Sequence, residues 1–133
     1  MIFSPPYSFA VDYLNNDAFH LNYLGVDMAI LQERMIGLSG HSLPEKFTLY
    51  REDMRQVLAE CARVMKRRAL CTIIVGTNSN QLSKVLKLSP KDVPGLHHVL
   101  VDMAIPYGLR LLRMLSRTID DLLGTYTSLL SEG

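Results

Sequence analysis

The spacing of hydrophobic residues between positions 42 and 66 predicts the clearest element of the chain, an amphipathic helix. Apolar residues recur there at intervals of three and four, which places them on one face of a helix. Ser42, Pro44 and Glu45 precede this pattern and form a capping-box signature, because their spacing lets serine and glutamate side chains accept hydrogen bonds from free N–H groups at the helix start. The predicted apolar face consists of Phe47, Tyr50, Met54, Val57, Leu58, Cys61, Val64 and Met65.

A continuous run of apolar and β-branched residues at positions 69–75 predicts a strand. Continuous hydrophobicity, as opposed to alternation, is typical of a central parallel strand covered on both faces. The run ends at Gly76, Thr77 and Asn78, which indicate a turn. A helix followed by a buried strand predicts an α/β fold.

The remaining patterns are weaker. Residues 11–38 predict two short helices around Gly25, and residues 82–88 predict a short amphipathic piece. A further helical face spans residues 96–107, and residues 109–115 predict another strand. The tail from residue 116 onward shows no clear period, and a further strand is expected only where it ends.

Length and charge limit the kind of protein this is. With 133 residues and 15.0 kDa the chain has room for one domain, which excludes a two-domain enzyme. Fourteen basic residues against 13 acidic ones give a net charge of +1, so a nucleic-acid partner would be bound through a local site. The basic residues at positions 63–68 are interpreted as helix capping and solvation instead of a nucleic-acid patch.

Other residue types bear on the cellular compartment, the state of the cysteines and the presence of a metal site. Residues 1–20 contain no lysine or arginine, and no stretch approaches the roughly 20 apolar residues of a membrane span, which predicts a cytoplasmic protein. Cys61 and Cys71 are predicted to be reduced core thiols. The four histidines lack metal-site spacing, and the adjacent His97 and His98 are expected on different helix faces, so no metal is predicted.

Ser4-Pro5-Pro6-Tyr7, directly after an apolar run, is the one motif that points to chemistry. From average residue frequencies it occurs by chance in on the order of one chain per thousand of this length. The prolines cannot continue a central strand, because neither has an N–H group. The alternative is a stiff turn whose tyrosine covers the core.

With this motif the chain resembles the amino-directed DNA methyltransferases, which transfer methyl from S-adenosylmethionine to the exocyclic nitrogen of cytosine or adenine. The resemblance covers residues 1 to about 76 well and the remainder loosely. It implies a partial Rossmann-like methyltransferase sheet of about three strands with flanking helices. Residues 1–133 would be a single partial domain, the catalytic half of the enzyme. Besides the motif, the segments that carry the resemblance are 12–13, 34–38, 50–54, 58–66 and 72–76.

The resemblance implies that Ser4, Pro5, Pro6 and Tyr7 form the catalytic site. An exocyclic amine is a poor nucleophile, because its lone pair is delocalised into the ring. The Ser4 hydroxyl oxygen and the Pro5 carbonyl would accept its two N–H groups and localise that pair, while Tyr7 would stack on the flipped base. A serine at the first position resembles N4-cytosine enzymes more than N6-adenine ones, and DNA and structured RNA both remain open as targets.

The cofactor-binding part of the family pattern is absent from this sequence. The family binds S-adenosylmethionine through a Phe-x-Gly-x-Gly type of turn, but no two of the eight glycines here are separated by a single residue. The expected partners are DNA and a cofactor-binding half, in a larger protein or on another chain, and this chain alone is expected to be inactive. Ser4, Pro5, Gly76 and Asn78 are candidates for weak cofactor contacts.

A non-catalytic α/β module that associates through its unfinished sheet is the alternative interpretation. Such a fragment would expose strand edges and apolar surface, which a homodimer would cover. Titration with S-adenosylmethionine together with the mass in solution separates this module from an autonomous enzyme.

Overall fold

The structure, a computed structural model, describes residues 1–6, 12–118 and 125–132, with 117–118 and 125–132 described by their backbone only. This part of the chain is a mixed α/β fold, as predicted. Its elements are β1 (Ile2–Phe3), α1 (Tyr13–Asn16), α2 (Ala18–Tyr23), α3 (Met28–Arg34), α4 (Leu43–Val64), β2 (Leu70–Thr77), α5 (Ser79–Leu86), α6 (Leu96–Ala104), a 3₁₀ turn (Ile105–Tyr107), β3 (Arg110–Thr118) and β4 (Thr125–Glu132).

The long helix α4 forms where the spacing predicts it. Ser42 Oγ accepts a hydrogen bond from the backbone N–H of Glu45 at 3.3 Å, and the Glu45 carboxylate accepts one from the backbone N–H of His41 at 2.9 Å. These bonds satisfy N–H groups at the entry to the helix and so define where it begins. Because the Glu45 carboxylate accepts that N–H group, its pKa lies below the ordinary value.

The core lies between α4, α6 and one face of β2. Leu58 of α4, Leu100 of α6 and Cys71 and Val75 of β2 are fully buried. Burying a side chain of the leucine or valine class contributes about 1.5–3 kcal/mol. Buried and half-buried residues alternate along β2, so the prediction of a strand covered on both faces is wrong. α4 and α6 pack on one face of β2, and its opposite face is partly exposed.

The sheet has the strand order β1-β2-β4-β3. β1 pairs in parallel with β2, where Phe3 lies opposite Ile73. β4 pairs antiparallel with β2 along the whole strand, beginning with Leu70 opposite Glu132. The predicted central parallel strand is therefore parallel to one neighbour and antiparallel to the other.

The fourth strand corrects the prediction of about three strands. β4 lies in the tail for which the sequence shows no period, and it pairs antiparallel with both β2 and β3. Backbone hydrogen-bonding partners on both of its edges stabilise it, so tertiary pairing determines this strand and no local pattern reveals it. The strand predicted at 109–115 is confirmed as β3.

Residues 12–38 form three short helices, where two were predicted. Asp12 caps α1 by accepting from the backbone N–H of Asn15 at 3.0 Å, and Asp27 caps α3 by accepting from Ala29 at 3.0 Å. Gly25 takes a φ of 68° at the turn between α2 and α3, a conformation that favours glycine. The Asp27 cap and Gly25 thus separate α3 from α2 in a segment whose hydrophobic pattern is irregular.

The remaining predicted elements are confirmed. α5 covers the amphipathic piece, and α6 continues into the 3₁₀ turn before Gly108, whose φ of 78° ends the helical segment. Within the described ranges, no helix is both long enough and apolar enough to span a membrane.

Candidate functional site

The carboxyl ends of β1 and β2 lie side by side, because the two strands run parallel. In open α/β sheets, ligands bind in the crevice outside the carboxyl ends of the strands. Ser4 follows β1 directly, and its Oγ donates a hydrogen bond to the backbone carbonyl of Ile74 in β2 at 3.2 Å. This bond ties the predicted catalytic segment to the neighbouring strand.

The hydrogen bond to Ile74 determines what the Ser4 hydroxyl offers to a ligand. A carbonyl oxygen has no proton, so the Ser4 hydroxyl is the donor. A hydroxyl has one O–H and two lone pairs, and the single proton is engaged here. Ser4 is exposed, and its oxygen therefore presents acceptor capacity at this edge of the sheet.

The two prolines connect this serine to the core. Pro5 is buried and Pro6 half-buried, and neither has an N–H group that competes with a ligand's donors. The Pro6 carbonyl accepts a hydrogen bond from the Tyr50 hydroxyl of α4 at 3.3 Å. Burial raises the pKa of Tyr50 well above its ordinary value, so the hydroxyl keeps its proton at neutral pH.

Tyr7, the fourth residue of the motif, lies outside the described residues. Its predicted stacking on a flipped base stays a prediction. Ser4, Pro5 and Pro6 can be located, and all three lie at or beyond the carboxyl end of β1.

Gly76 and Asn78, the other candidates for cofactor contact, belong to the carboxyl end of β2. Gly76 lies opposite Tyr126 in the antiparallel ladder with β4. Asn78 Oδ1 accepts a hydrogen bond from the backbone N–H of Gln81 at 3.2 Å and caps α5. The neighbouring Thr77 Oγ1 accepts from the backbone N–H of Leu96 at 2.9 Å and anchors α6. These groups thus take part in the protein's own structure.

The located residues do not fit a cradle for S-adenosylmethionine. A phosphate- or cofactor-binding turn of this kind depends on closely spaced glycines that admit the ligand to the backbone. Gly76, the glycine predicted to contact the cofactor, is engaged in a strand ladder instead of an open turn. We therefore assign no cofactor-dependent step to this chain.

The basic residues at the end of α4 lie at the opposite edge of the sheet from Ser4. β2 begins at Leu70, just after them, and Ser4 lies toward the carboxyl end of that strand. Arg63 pairs with Glu60 at 2.7 Å, and both side chains are largely exposed. This arrangement agrees with the interpretation of the cluster as a solvated helix end.

Cysteines and histidines are the other residue types that could carry chemistry. Cys61 and Cys71 are buried and reduced, as predicted, and burial raises the pKa of the Cys61 thiol. The rings of His97 and His98 lie 4.1 Å apart between centroids, and His97 is half-buried whereas His98 is exposed. The His97 ring folds back over Gly95, which has no side chain to obstruct it. In the described ranges no cluster of three or more potential ligands could hold a metal ion.

Comparison of the chain with protein-family models, curated proteins and solved structures gives no match.

Proposed function

We propose that this chain forms the methyl-acceptor side of an amino-directed DNA methyltransferase. The observation that carries the proposal is the Ser4 hydroxyl, which donates its proton to Ile74 and offers its lone pairs beside the carboxyl ends of two parallel strands. The substrate is the exocyclic amine of a flipped base, with cytosine N4 favoured over adenine N6.

The chemistry assigned to the segment is the holding of an amine. The Ser4 hydroxyl oxygen accepts one N–H of the base and the Pro5 carbonyl oxygen accepts the other. Two acceptors in a fixed relation draw the nitrogen lone pair out of conjugation with the ring. The same oxygens stabilise the positive charge that grows on the nitrogen as it becomes methylated, and such preorganised groups are effective where water is excluded.

The remaining functions of the enzyme are assigned to other parts of the protein or to a partner chain. S-adenosylmethionine supplies the methyl group and is assigned to a cofactor-binding half or partner chain. A base inside a duplex must leave the stack to reach an edge such as this one. The net charge of +1 supports a further assignment, that the surface that grips DNA is also provided elsewhere.

The first test measures recognition of the amine by the chain itself. Pentanucleotides of thymidine, with cytosine, adenine or thymine at the centre, are titrated into the protein and followed by NMR. Single strands avoid the cost of flipping, and thymine presents an oxygen where cytosine presents the amine. We expect cytosine to bind tighter than thymine by roughly 2- to 10-fold, the value of one net hydrogen bond.

Ser4→Ala should remove this preference, and Ser116→Ala, an exposed serine on β3, should retain it. Equal binding of all three pentanucleotides by the wild-type protein contradicts the proposed function. A preference that survives in Ser4→Ala and in Tyr7→Ala shows instead that the site has been assigned to the wrong residues.

Methyl transfer is then measured with a cofactor-binding half added in trans. Tritiated S-adenosylmethionine and unmethylated DNA are supplied, and the digested nucleosides are separated into N4-methylcytosine and N6-methyladenine. Removing a preorganised hydrogen-bonding group from an active site typically costs about 100- to 1,000-fold in rate, and we expect a loss of that order for Ser4→Ala.

A non-catalytic module that dimerises through β3 is the second candidate. Leu111, Leu112, Met114 and Leu115 are each 40–50% exposed, so β3 presents apolar side chains on both faces. A second copy would cover them. A stable dimer by light scattering, together with no base preference, would favour this module over the enzyme half.

A further inference from the structure

The segment from Ser4 to Pro6 is held to the fold at both of its ends. At one end the Ser4 hydroxyl donates to Ile74 of β2, and at the other the Pro6 carbonyl accepts from Tyr50 of α4. The second bond joins residues 44 positions apart and reaches from the interior of the protein to the motif.

Burying the Tyr50 hydroxyl costs free energy, which an apolar side chain that only fills the core would not incur. The side chain has 0% exposure, and a buried phenol needs a hydrogen-bond partner. One turn earlier, Phe47 fills the same face of α4 without a polar atom, and Met54 does so one turn later. A phenylalanine at position 50 would supply the packing but would lack the hydrogen bond to the Pro6 carbonyl.

Two hydrogen-bonded ends leave the segment between them little freedom. The rings of Pro5 and Pro6 restrict φ at both residues, so rotation about ψ is the main freedom left to the backbone. Anchoring Ser4 and the Pro6 carbonyl constrains those remaining rotations. The direction of the Pro5 carbonyl is thereby set relative to the Ser4 oxygen.

We propose that Tyr50 is a positioning residue, whose hydroxyl holds the Pro6 carbonyl so that Ser4 and Pro5 keep the spacing needed to receive both N–H groups of an amine. This inference rests on the proposed function. It assigns to α4 a part in amine recognition that is separate from its part in the core. A displacement of about 1 Å can cost 100-fold in a reaction that depends on alignment.

Tyr50→Phe tests the inference by removing the hydroxyl and keeping the ring. The matched control is Tyr107→Phe, on the 3₁₀ turn, where the side chain is 40% exposed. In the pentanucleotide titration, Tyr50→Phe should reduce the preference for cytosine over thymine by at least half, and Tyr107→Phe should leave it unchanged. Because both residues act on one segment, adding Tyr50→Phe to Ser4→Ala should cause no further loss of preference.

Replacing Tyr50 by 4-aminophenylalanine or 4-methylphenylalanine separates positioning from packing. The first retains a hydrogen-bond donor and the second fills similar space without one. Rescue of the cytosine preference by the amino variant alone, at equal melting temperatures, supports the proposal, and this pair is informative even if Tyr50→Phe fails to fold.

Equal preference in the amino and methyl variants overturns the role of Tyr50. A wild-type protein with no preference for cytosine overturns the proposed function instead, so the two failures are distinguishable.

Discussion

The two outer strands of the sheet, β1 and β3, differ in length, direction and use. β1 has two residues, runs parallel to β2 and leads directly into a segment held by hydrogen bonds to β2 and α4. β3 has nine residues, runs antiparallel to β4 and exposes apolar side chains on both faces. The shorter strand supports the candidate site, because a parallel pair brings two carboxyl ends to one edge.

The regions around β1 and β3 also differ in how well side chains pack against the sheet. The fully buried residues of α4 and α6 pack with β2, next to β1. Along β3 the side chains from Arg110 to Ser116 are exposed. A site that must hold two oxygens in a fixed relation benefits from the well-packed end of the sheet, whereas an exposed strand suits association with another surface.

The largest expected effect comes from the core under β2. Leu58→Ala removes a fully buried side chain from α4 and should lower the free energy of unfolding by about 2–5 kcal/mol, the sum of lost transfer energy and the cavity left behind. Leu112→Ala on β3, at 50% exposure, should change it by less than about 0.5 kcal/mol. Urea denaturation of both variants measures the difference. Equal losses in the free energy of unfolding would show that the sheet is packed equally well at β2 and at β3.

An intermediate effect is expected at the start of α4, which carries Tyr50 to the site. Ser42→Ala removes the side-chain acceptor of the Glu45 N–H group and should cost about 1 kcal/mol. Ser116→Ala on β3 makes the same chemical change at an exposed position and should have almost no effect. Thermal and urea unfolding test the pair, and a Ser42→Ala protein as stable as Ser116→Ala would show that the cap does not stabilise α4.

The smallest effect is a change in pH dependence at the same helix start. The pKa of Glu45 is lowered below 4.5, chiefly by the backbone N–H of His41, so its contribution to stability is complete above that value and is lost as the pH falls through the lowered pKa. Glu45→Gln keeps a hydrogen-bond acceptor and removes the charge. Unfolding curves collected from pH 6 down to pH 3 should therefore show a weaker loss of stability in the variant.

Asp53 lies about two turns further along α4 than Glu45. Its pKa shift has the opposite sign, so it serves as a control. Burial raises its pKa above 3.8, so the folded protein retains that proton and stability falls as the pH rises through this range. Asp53→Asn should remove this fall. If Glu45→Gln and Asp53→Asn change the pH dependence of the free energy of unfolding in the same direction, the pKa shifts assigned to the two carboxylates are wrong.

Local signals in the sequence predicted much of the scaffold. The spacing from Phe47 onward and the cap at Ser42 predicted α4, because both depend on residues a few positions apart. The same kind of signal exists for α5, since Asn78 followed by Gln81 is a capping pattern that indicates a cap at Asn78.

The non-local contacts could not be predicted in this way. β4 pairs with β3, the element directly before it, and also with β2, which precedes it by several elements, and the side-chain pattern of Thr125–Glu132 carries little information about those partners. The spacing predicted that Tyr50 faces the core, but nothing near it in sequence indicated a contact with Pro6, 44 residues away.

The sequence by itself determined the helix start at Ser42, the buried strand after it and the Ser-Pro-Pro segment, since capping, periodicity and the proline ring act within a few residues. Only the tertiary structure decided that β1 and β2 lie parallel, that Ser4 donates to Ile74 and that Tyr50 holds Pro6. Those contacts form when the chain closes long loops, and their energy comes from surfaces and hydrogen bonds that exist only after the core has packed.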